Sequence, residues 1–265
     1  MSKSTQLIKA VILAAGRGSR MKGLTDEQPK CLTQLAGRSL LDWQLSSLGA
    51  AGVSEVAVVR GYRGEWLERP GLTPFENPRW AATNMVMSLT CAADWLSQHS
   101  CLISYGDIVY PPEAVQTLIG ATGDLLICYD LNWLKLWQAR FADPLSDAES
   151  FASDTAGRLL DIGRKVTDLA EIQGQYMGLL RFTPRGWSQI SAHLADLPAA
   201  ERDRLDMTTL LRQLLAKGIQ IGTLAIHGGW LEVDSQDDLA AAQALIAQDP
   251  AYTWLRQHPE ASTEV

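Results

Sequence analysis

An apolar run leads directly into a glycine-rich loop in the stretch Ala10-Val11-Ile12-Leu13-Ala14-Ala15-Gly16-Arg17-Gly18-Ser19-Arg20-Met21, and Pro29-Lys30-Cys31-Leu32 follows. The apolar run is typical of a strand buried on both faces, as in a parallel sheet. Gly16 and Gly18 allow backbone conformations and close approaches that a Cβ would prevent. The N–H groups of such a turn can face an anion, and Arg17, Arg20 and Lys30 add positive charge. The stretch therefore predicts an α/β fold whose first strand ends at a site for the phosphates of a nucleoside triphosphate.

Two other glycine-rich motifs are excluded by the residues that follow the loop. The Walker motif ends in Gly-Lys-Ser/Thr, whereas Gly18 is followed by Ser19 and Arg20. The dinucleotide fingerprint needs a third glycine where Met21 stands. A glycine-rich loop alone is as readily a tight turn as a site. The loop combined with Arg20 and Pro29-Lys30 is much more specific.

Composition and charge exclude several classes of protein. The chain has 265 residues, 46% of them hydrophobic, and a net charge of −7. Acidic and basic residues are mixed and no basic stripe stands out, which argues against nucleic-acid binding. Neither a signal peptide nor an apolar run of membrane-spanning length is evident, so we expect a cytoplasmic protein that is not bound to a membrane. The four cysteines lack metal-ligand spacing. These features are compatible with a homodimer.

Strand and helix patterns alternate along the first half of the chain. This alternation predicts a Rossmann-like, mostly parallel central sheet with helices on both faces. The predicted strands are Ile8–Leu13, Glu55–Val59, Cys101–Tyr105 and Asp124–Tyr129, and the predicted helices are Ser39–Leu48, one from Thr83 or Asn84 to about Leu96, and one that begins at Pro111.

The second half is less regular. Its predicted strands are Gly157–Gly163, Gln175–Phe182, Ile219–Ile226 and Trp230–Val233, and its predicted helices are Pro184–His193, Met207–Ala216 and one that Ser235 caps and that ends near Ala247. We find no repeat and no linker, and therefore expect a single domain over 1–250. It would comprise a nucleotide-binding part (about 1–130), a smaller inserted acceptor-binding half (about 131–230) and a C-terminal strand and helix (230–249), followed by a tail (251–265) that packs or frays.

Two acidic segments follow predicted strands. Ser104-Tyr105-Gly106-Asp107 places Asp107 at a carboxyl end, where open α/β sheets bind ligands. Trp230-Leu231-Glu232-Val233-Asp234 places Asp234 in the same way. Each aspartate also has an ordinary explanation, because either one can cap the helix or turn that follows it.

Together, the loop, Lys30 and the two aspartates resemble the signature of the nucleoside-diphosphosugar pyrophosphorylase-like nucleotidyltransferases, which make nucleotide-activated sugars and alcohols. In that family two such aspartates hold Mg²⁺, and the resemblance implies this role for Asp107 and Asp234. Carboxylate oxygens suit Mg²⁺, which also bridges to phosphate oxygens. The nucleotide site implied by the resemblance includes Leu13, Ala14, Ala15, Gly16, Gly18, Ser19 and Gly106.

Further segments resemble the cytidylyltransferase branch that activates phosphocholine and aminoalkylphosphonates, and the likeness spans about Ile8 to Leu239. They include Asn77-Pro78-Arg79-Trp80, Asn84-Met85-Val86-Met87-Ser88-Leu89, Trp133-Leu134-Lys135-Leu136-Trp137 and Asp143-Pro144-Leu145-Ser146-Asp147. In that branch the segment that contains Asn84 and Ser88 faces the cytosine, which implies base contacts for both. The alternative is a helix N-cap at Asn84 and an ordinary helical serine at Ser88.

Aromatic residues suggest where the acceptor binds. Trp133 and Trp137 are four residues apart, so a helix would present them on one face. With Tyr176 and Trp230 they could form an aromatic cage for a quaternary ammonium group. Asp130, Asp143, Asp147 or Glu149 could add a charge or hydrogen bonds, which an unmethylated amine would need more. The alternative is that the tryptophans belong to the core.

The resemblance implies a reaction in which a phosphate or phosphonate oxygen of the acceptor attacks the α-phosphorus of CTP and pyrophosphate leaves. That oxygen is already anionic, so catalysis would rest on positioning and charge neutralisation. Arg20 would hold the triphosphate, and Lys30 and Lys165 would offset charge between acceptor and α-phosphate. Two alternatives remain: a sugar-1-phosphate nucleotidyltransferase of the same fold, and a non-catalytic nucleotide-binding regulatory subunit.

Overall fold

A seven-stranded sheet forms the centre of the protein, seen in a computed structural model that describes residues 7–256. The strands are β1 (Ile8–Ala14), β2 (Val56–Arg60), β3 (Leu72–Glu76), β4 (Ser100–Tyr105), β5 (Leu125–Asp130), β6 (Gln175–Phe182) and β7 (Gly222–Ile226). Their order is β7-β5-β6-β4-β1-β2-β3. Strand β6 runs antiparallel to both of its neighbours, and every other adjacent pair is parallel. The predicted mostly parallel sheet is confirmed.

Helices cover both faces of the sheet. They are α1 (Leu40–Ala50), α2 (Met85–Thr90), α3 (Ala93–Gln98), α4 (Pro112–Gly120), α5 (Trp133–Arg140), α6 (Pro184–Asp196), α7 (Ala199–Arg204), α8 (Met207–Ala216) and α9 (Gln236–Gln248). Strand β1 explains the two layers, because its side chains alternate between them: Ile12 packs in one hydrophobic cluster, and Val11 and Leu13 pack in the other. The continuous apolar run of β1 is thus buried on both sides.

Shorter elements lie around the sheet. Three two-stranded pairs join Gln34–Leu35 to Arg38–Ser39, Ile108–Val109 to Leu231–Glu232, and Glu149–Ser153 to Leu159–Lys165. Short 3₁₀ segments occupy Ser19–Thr25, Lys30–Leu32, Gly64–Leu67, Pro144–Ser146, Leu169–Glu171 and Pro250–Leu255. The last of these packs through Tyr252 and Leu255, which are buried. The rest of the predicted tail, 257–265, lies outside the described residues.

The structure differs from the predicted elements at several points. The helix predicted to run to Leu96 is two helices, α2 and α3, because the chain turns at Cys91 and Ala92. Strand β3 was not predicted, since it contains Pro74, which an edge strand tolerates. The strand predicted at Trp230–Val233 is only two residues long and pairs outside the central sheet.

Across residues 7–256, no helix is long and apolar enough to cross a membrane. The cytoplasmic location and the homodimer stay predictions. Strands from both predicted halves of the domain share one sheet, since β6 lies between β4 and β5.

Candidate active site

A cavity of about 320 Å³ lies at the carboxyl ends of β1 and β4. The structure brings together at its wall all of the residues predicted for nucleotide binding: Leu13, Ala14, Ala15, Gly16, Gly18, Ser19, Asn84, Ser88 and Gly106. Arg20, Lys30 and the two predicted metal ligands, Asp107 and Asp234, line the same cavity. Residues far apart in sequence thus meet around one space.

Two glycines are required by the shape of this wall. Gly18 has a φ of +67°, in the left-handed region, and a Cβ there would lie 2.8 Å from the Cβ of Lys30. A Cβ at Gly106 would lie 2.8 Å from the carbonyl oxygen of Leu13. Gly18 therefore lets the Lys30 side chain pass beside the loop, and Gly106 lets β4 turn tightly against the end of β1.

Lys30 joins the two aspartates. Its Nζ donates to Asp107 Oδ2 at 2.7 Å and also to Asp234 Oδ1, while Arg20 pairs with Asp234 Oδ2. Burial by itself would lower the pKa of Lys30, but the charges of Asp107 and Asp234 outweigh it, so the pKa is raised. Lys30 is consequently held in its charged form between two carboxylates.

A short backbone ladder brings the two aspartates together. Ile108–Val109 pairs antiparallel with Leu231–Glu232, and the Val233 N–H donates to the carbonyl oxygen of Asp107 at 2.9 Å. Asp107 therefore follows a strand of the central sheet, as expected, whereas Asp234 follows this separate ladder.

Gln44 on α1 fixes the turn that carries Asp107. Its side chain is fully buried, and its Nε2 donates to the carbonyl oxygens of Tyr105 at 3.0 Å and Ile108 at 2.7 Å. Its Oε1 accepts from the Ser104 hydroxyl at 3.0 Å. The sequence reasoning missed Gln44, although a glutamine among the apolar residues of a helix was a signal that could have been read.

Arg140 on α5 supports the segment around Asp234. It donates to Glu232 at 2.7 Å and to Asp238 at 2.9 Å, and Asp238 accepts the backbone N–H of Asp234 at 3.1 Å. Burial raises the pKa of Glu232, and the Arg140 charge opposes that rise. Ser235, rather than Asp234, caps α9 by accepting from the Asp238 N–H. The carboxylate of Asp234 is thus left to face Lys30 and Arg20.

The donor set fits Mg²⁺. Asp107 Oδ1 is buried and has no hydrogen-bond partner among the residues that the structure describes. Mg²⁺ is commonly held by one or two carboxylates together with substrate phosphates, because it prefers oxygen ligands in octahedral geometry. Within 7–256 no group of three or more His, Cys, Asp or Glu could hold a metal ion. A metal at Asp107 and Asp234 would therefore need oxygens from a bound substrate.

The structure supports the ordinary explanation of Asn84 and Ser88, and their contacts with a base stay a prediction. Asn84 caps α2 by accepting from the Met85 N–H at 2.8 Å, and the buried Ser88 accepts from Asn77 at 3.0 Å. Both also line the cavity. Other residues that line this wall were not predicted, namely Trp80, Thr83, Met85 and Tyr105.

A second cavity of about 340 Å³ shares Arg20, Met85, Tyr105 and Asp234 with the first. Four residues predicted for the acceptor line it: Trp137, Asp147, Tyr176 and Trp230. Trp133, although its ring centroid is 6.0 Å from that of Trp137, does not line it. Lys165 lines neither cavity and is exposed opposite Glu149 in the 149–165 hairpin.

The sequence reasoning missed several polar residues of the second cavity, namely Gln175, Asp206, Thr208 and Glu232, whereas Glu149, which was named as a possible acceptor contact, also lines it. Gln175 had a readable signal, because it is the polar first residue of β6, a strand whose eight residues are all buried. Asp206 also caps α8, which gave it an ordinary explanation.

Known proteins resemble this chain over most of its length. Residues 10–161, more than half of the chain, match the MobA-like NTP transferase domain. A CTP:phosphoglutamine cytidylyltransferase from Campylobacter jejuni is 36% identical over 251 residues, covering 88% of this chain and 98% of that protein. A 2-aminoethylphosphonate cytidylyltransferase from Lancefieldella rimae is 34% identical over 111 residues, covering 40% of this chain and 45% of that protein.

A solved structure shares the fold. The CTP:phosphocholine cytidylyltransferase from Streptococcus pneumoniae matches with a TM-score of 0.67 at 17% identity, covering 90% of this chain and 99% of that one. The predicted resemblance to nucleotidyltransferases is confirmed by the domain match and by the full-length relative. This chain belongs to the MobA-like NTP transferase domain family and is a nucleotidyltransferase.

Proposed function

We propose that the protein transfers CMP from CTP to a small phosphorylated or phosphonate head group in a Mg²⁺-dependent reaction that releases pyrophosphate. The observation that carries this proposal is the junction of the two cavities at Arg20 and Asp234. A nucleotide in the first cavity and an acceptor in the second would meet there. The relatives support the reaction, because they are named for CTP and for phosphorylated or phosphonate acceptors.

The nucleotide would bind with its phosphates at the loop. The backbone of Gly16–Ser19 offers N–H groups, and Arg20 and Lys30 supply positive charge beside them. Arg20 is free to exchange its carboxylate partner for a phosphate because its side chain is 71% exposed. The base would lie toward Asn84 and Ser88 at the far wall of the same cavity.

The transfer itself needs little proton chemistry. An anionic oxygen of the acceptor forms a bond to the α-phosphorus of CTP, and the bond from that phosphorus to the pyrophosphate oxygen breaks. Mg²⁺ at Asp107 and Asp234, when bound, would neutralise charge on the phosphates. Lys30 would reduce the repulsion between the two anionic substrates, and Arg20 would stabilise the leaving pyrophosphate.

Lys165 was predicted to assist at the acceptor. It lies outside both cavities, so a catalytic role would require its hairpin to approach the acceptor.

The test is pyrophosphate release by the purified protein with Mg²⁺, comparing four nucleoside triphosphates against phosphorylated alcohols, aminophosphonates and sugar 1-phosphates. We expect release with CTP and a head-group acceptor. Release only with a sugar 1-phosphate would favour the NDP-sugar alternative. No release with CTP and any acceptor would overturn the proposal.

A further inference from the structure

The second cavity contains polar atoms that the proposed reaction does not use. Gln175 Oε1 and Trp137 Nε1 are both buried, and neither has a hydrogen-bond partner within the described part of the chain. Both residues line the cavity, and Gln175 is only 9% exposed. A buried polar atom without a partner costs about 1–3 kcal/mol. Such atoms at a cavity wall therefore indicate a missing ligand group.

Two of the aromatic residues that line this cavity, Trp137 and Trp230, are already packed against other groups of the protein. The Arg140 guanidinium lies 4.9 Å from the ring centroid of Trp137, and the Trp230 ring lies 6.1 Å from it. Trp137 and Trp230 are each only 1% exposed. The Trp230 N–H is also used, since it donates to Asp130 at 3.0 Å. These two tryptophans therefore leave little aromatic face for a trimethylammonium group. Tyr105 and Tyr176 also line the cavity and pack edge to face against each other, with 5.9 Å between ring centroids.

Oxygen atoms dominate what remains open to a ligand. Besides Gln175, the cavity is lined by the carboxylates of Asp147, Glu149 and Asp206. The carboxylates of Glu232 and Asp234 also line it, but they are paired with Arg140 and with Lys30 and Arg20. Burial and the neighbouring Asp206 carboxylate raise the pKa of Glu149, whereas Asp147 is exposed at the cavity wall. These groups all accept hydrogen bonds, and a cation that donates several would satisfy them together.

We propose that Gln175, with Asp147 and Glu149, binds a primary ammonium group of the acceptor and distinguishes it from a trimethylammonium group. A primary ammonium carries three N–H donors, whereas a trimethylammonium carries none and would leave Gln175 Oε1 unpaired. The phosphate or phosphonate end of the same molecule would then lie toward Arg20, where the two cavities join. This inference rests on the proposed CMP transfer and specifies its acceptor.

Matched acceptor pairs test the inference directly. Phosphoethanolamine and phosphocholine share the phosphate ester and the two-carbon chain, and differ only by three methyl groups on nitrogen; 2-aminoethylphosphonate and its trimethyl derivative form a second pair. With CTP and Mg²⁺, kcat/KM is measured for each by pyrophosphate release, alongside glucose 1-phosphate. We expect the primary amine of each pair to exceed its trimethyl partner by at least about 10-fold, as for one lost buried hydrogen bond.

Variants of Gln175 assign the preference to this residue. Gln175→Leu should raise KM for the primary amine about 10-fold or more and bring the pair to similar kcat/KM, with KM for CTP unchanged. Gln175→Glu, which keeps an acceptor oxygen, should retain the preference. Gln189→Leu on α6, which lies outside both cavities, is the matched control. The melting temperature of Gln175→Leu should not fall, because Oε1 has no internal hydrogen bond to lose.

The outcomes separate the two proposals. Equal or greater use of the trimethyl acceptors, or an unchanged preference in Gln175→Leu, would overturn the assignment of Gln175 and leave CMP transfer to a head group intact. Turnover of glucose 1-phosphate alone would overturn both proposals in favour of the NDP-sugar alternative. Absence of CMP transfer to every acceptor would overturn the proposed function and this inference with it.

Discussion

Lys30 is the residue on which the electrostatics of the site depends, because it is buried and contacts both the buried Asp234 and the half-buried Asp107. Removing one partner of a buried ion pair leaves an uncompensated charge, which typically costs about 3–5 kcal/mol. Lys30→Met should therefore lower the melting temperature in metal-free buffer, and added Mg²⁺ should restore part of the loss. Lys217→Met, at an exposed ion pair with Asp196, is the control and should change little. Equal melting temperatures for Lys30→Met and wild type would show that the ion pairs of Lys30 with Asp107 and Asp234 contribute no stability.

The two aspartates carry the predicted metal role. Asp107→Asn or Asp234→Asn should reduce turnover by roughly 10²-fold or more, since each change removes a carboxylate that would hold the Mg²⁺, and the metal would stabilise the negative charge on the phosphates. Pyrophosphate release at increasing Mg²⁺ concentrations measures the effect, and Asp196→Asn serves as an exposed control. Near-normal Mg²⁺-dependent activity in either variant would contradict the assignment.

At the scale of elements, α1 positions the turn that carries Asp107, although that turn lies outside the helix. Gln44→Leu removes two donors and one acceptor from the turn before and after Asp107. Because the carbonyl oxygens of Tyr105 and Ile108 would lose these partners, we expect a loss of about 1–3 kcal/mol in the free energy of unfolding. A lower kcat should accompany it, since Asp107 would be held less firmly. Urea unfolding and kcat at saturating substrates measure both effects, and an unchanged kcat would mean that the turn is held by other contacts.

We expect the loop after β1, which contains Arg20, to contribute to nucleotide binding, and the hairpin that contains Lys165 not to contribute. A ligand that binds only the folded state stabilises it by about 2.7 kcal/mol at roughly 100 Kd. CTP with Mg²⁺ should therefore raise the melting temperature of wild type and of Lys165→Ala, but much less that of Arg20→Ala. If Arg20→Ala shows the full shift, the loop is not where the triphosphate binds.

For the whole molecule, much of the fold could be predicted because its signals are local. The apolar run of β1, the alternation of strands and helices in the first half and the capping serine of α9 all followed from neighbouring residues. The position of β6 between β4 and β5, and its antiparallel direction, did not. Strand order depends on which strands and helices pack against one another in the folded protein. A short segment of sequence does not contain that information.

The candidate site likewise has one part that the sequence predicted and another part that only the structure revealed. The sequence by itself grouped the glycine-rich loop, Lys30 and the two aspartates into one predicted site, because together these short motifs resemble the nucleotidyltransferase signature. Only the tertiary structure decided that Lys30 bridges Asp107 and Asp234, that Trp133 stays outside the acceptor cavity, and that Gln175 lines it. These facts depend on distances between segments far apart in the chain. Such distances are set by the packing of the whole core, so the charge and polarity of a cavity emerge only when its walls are assembled.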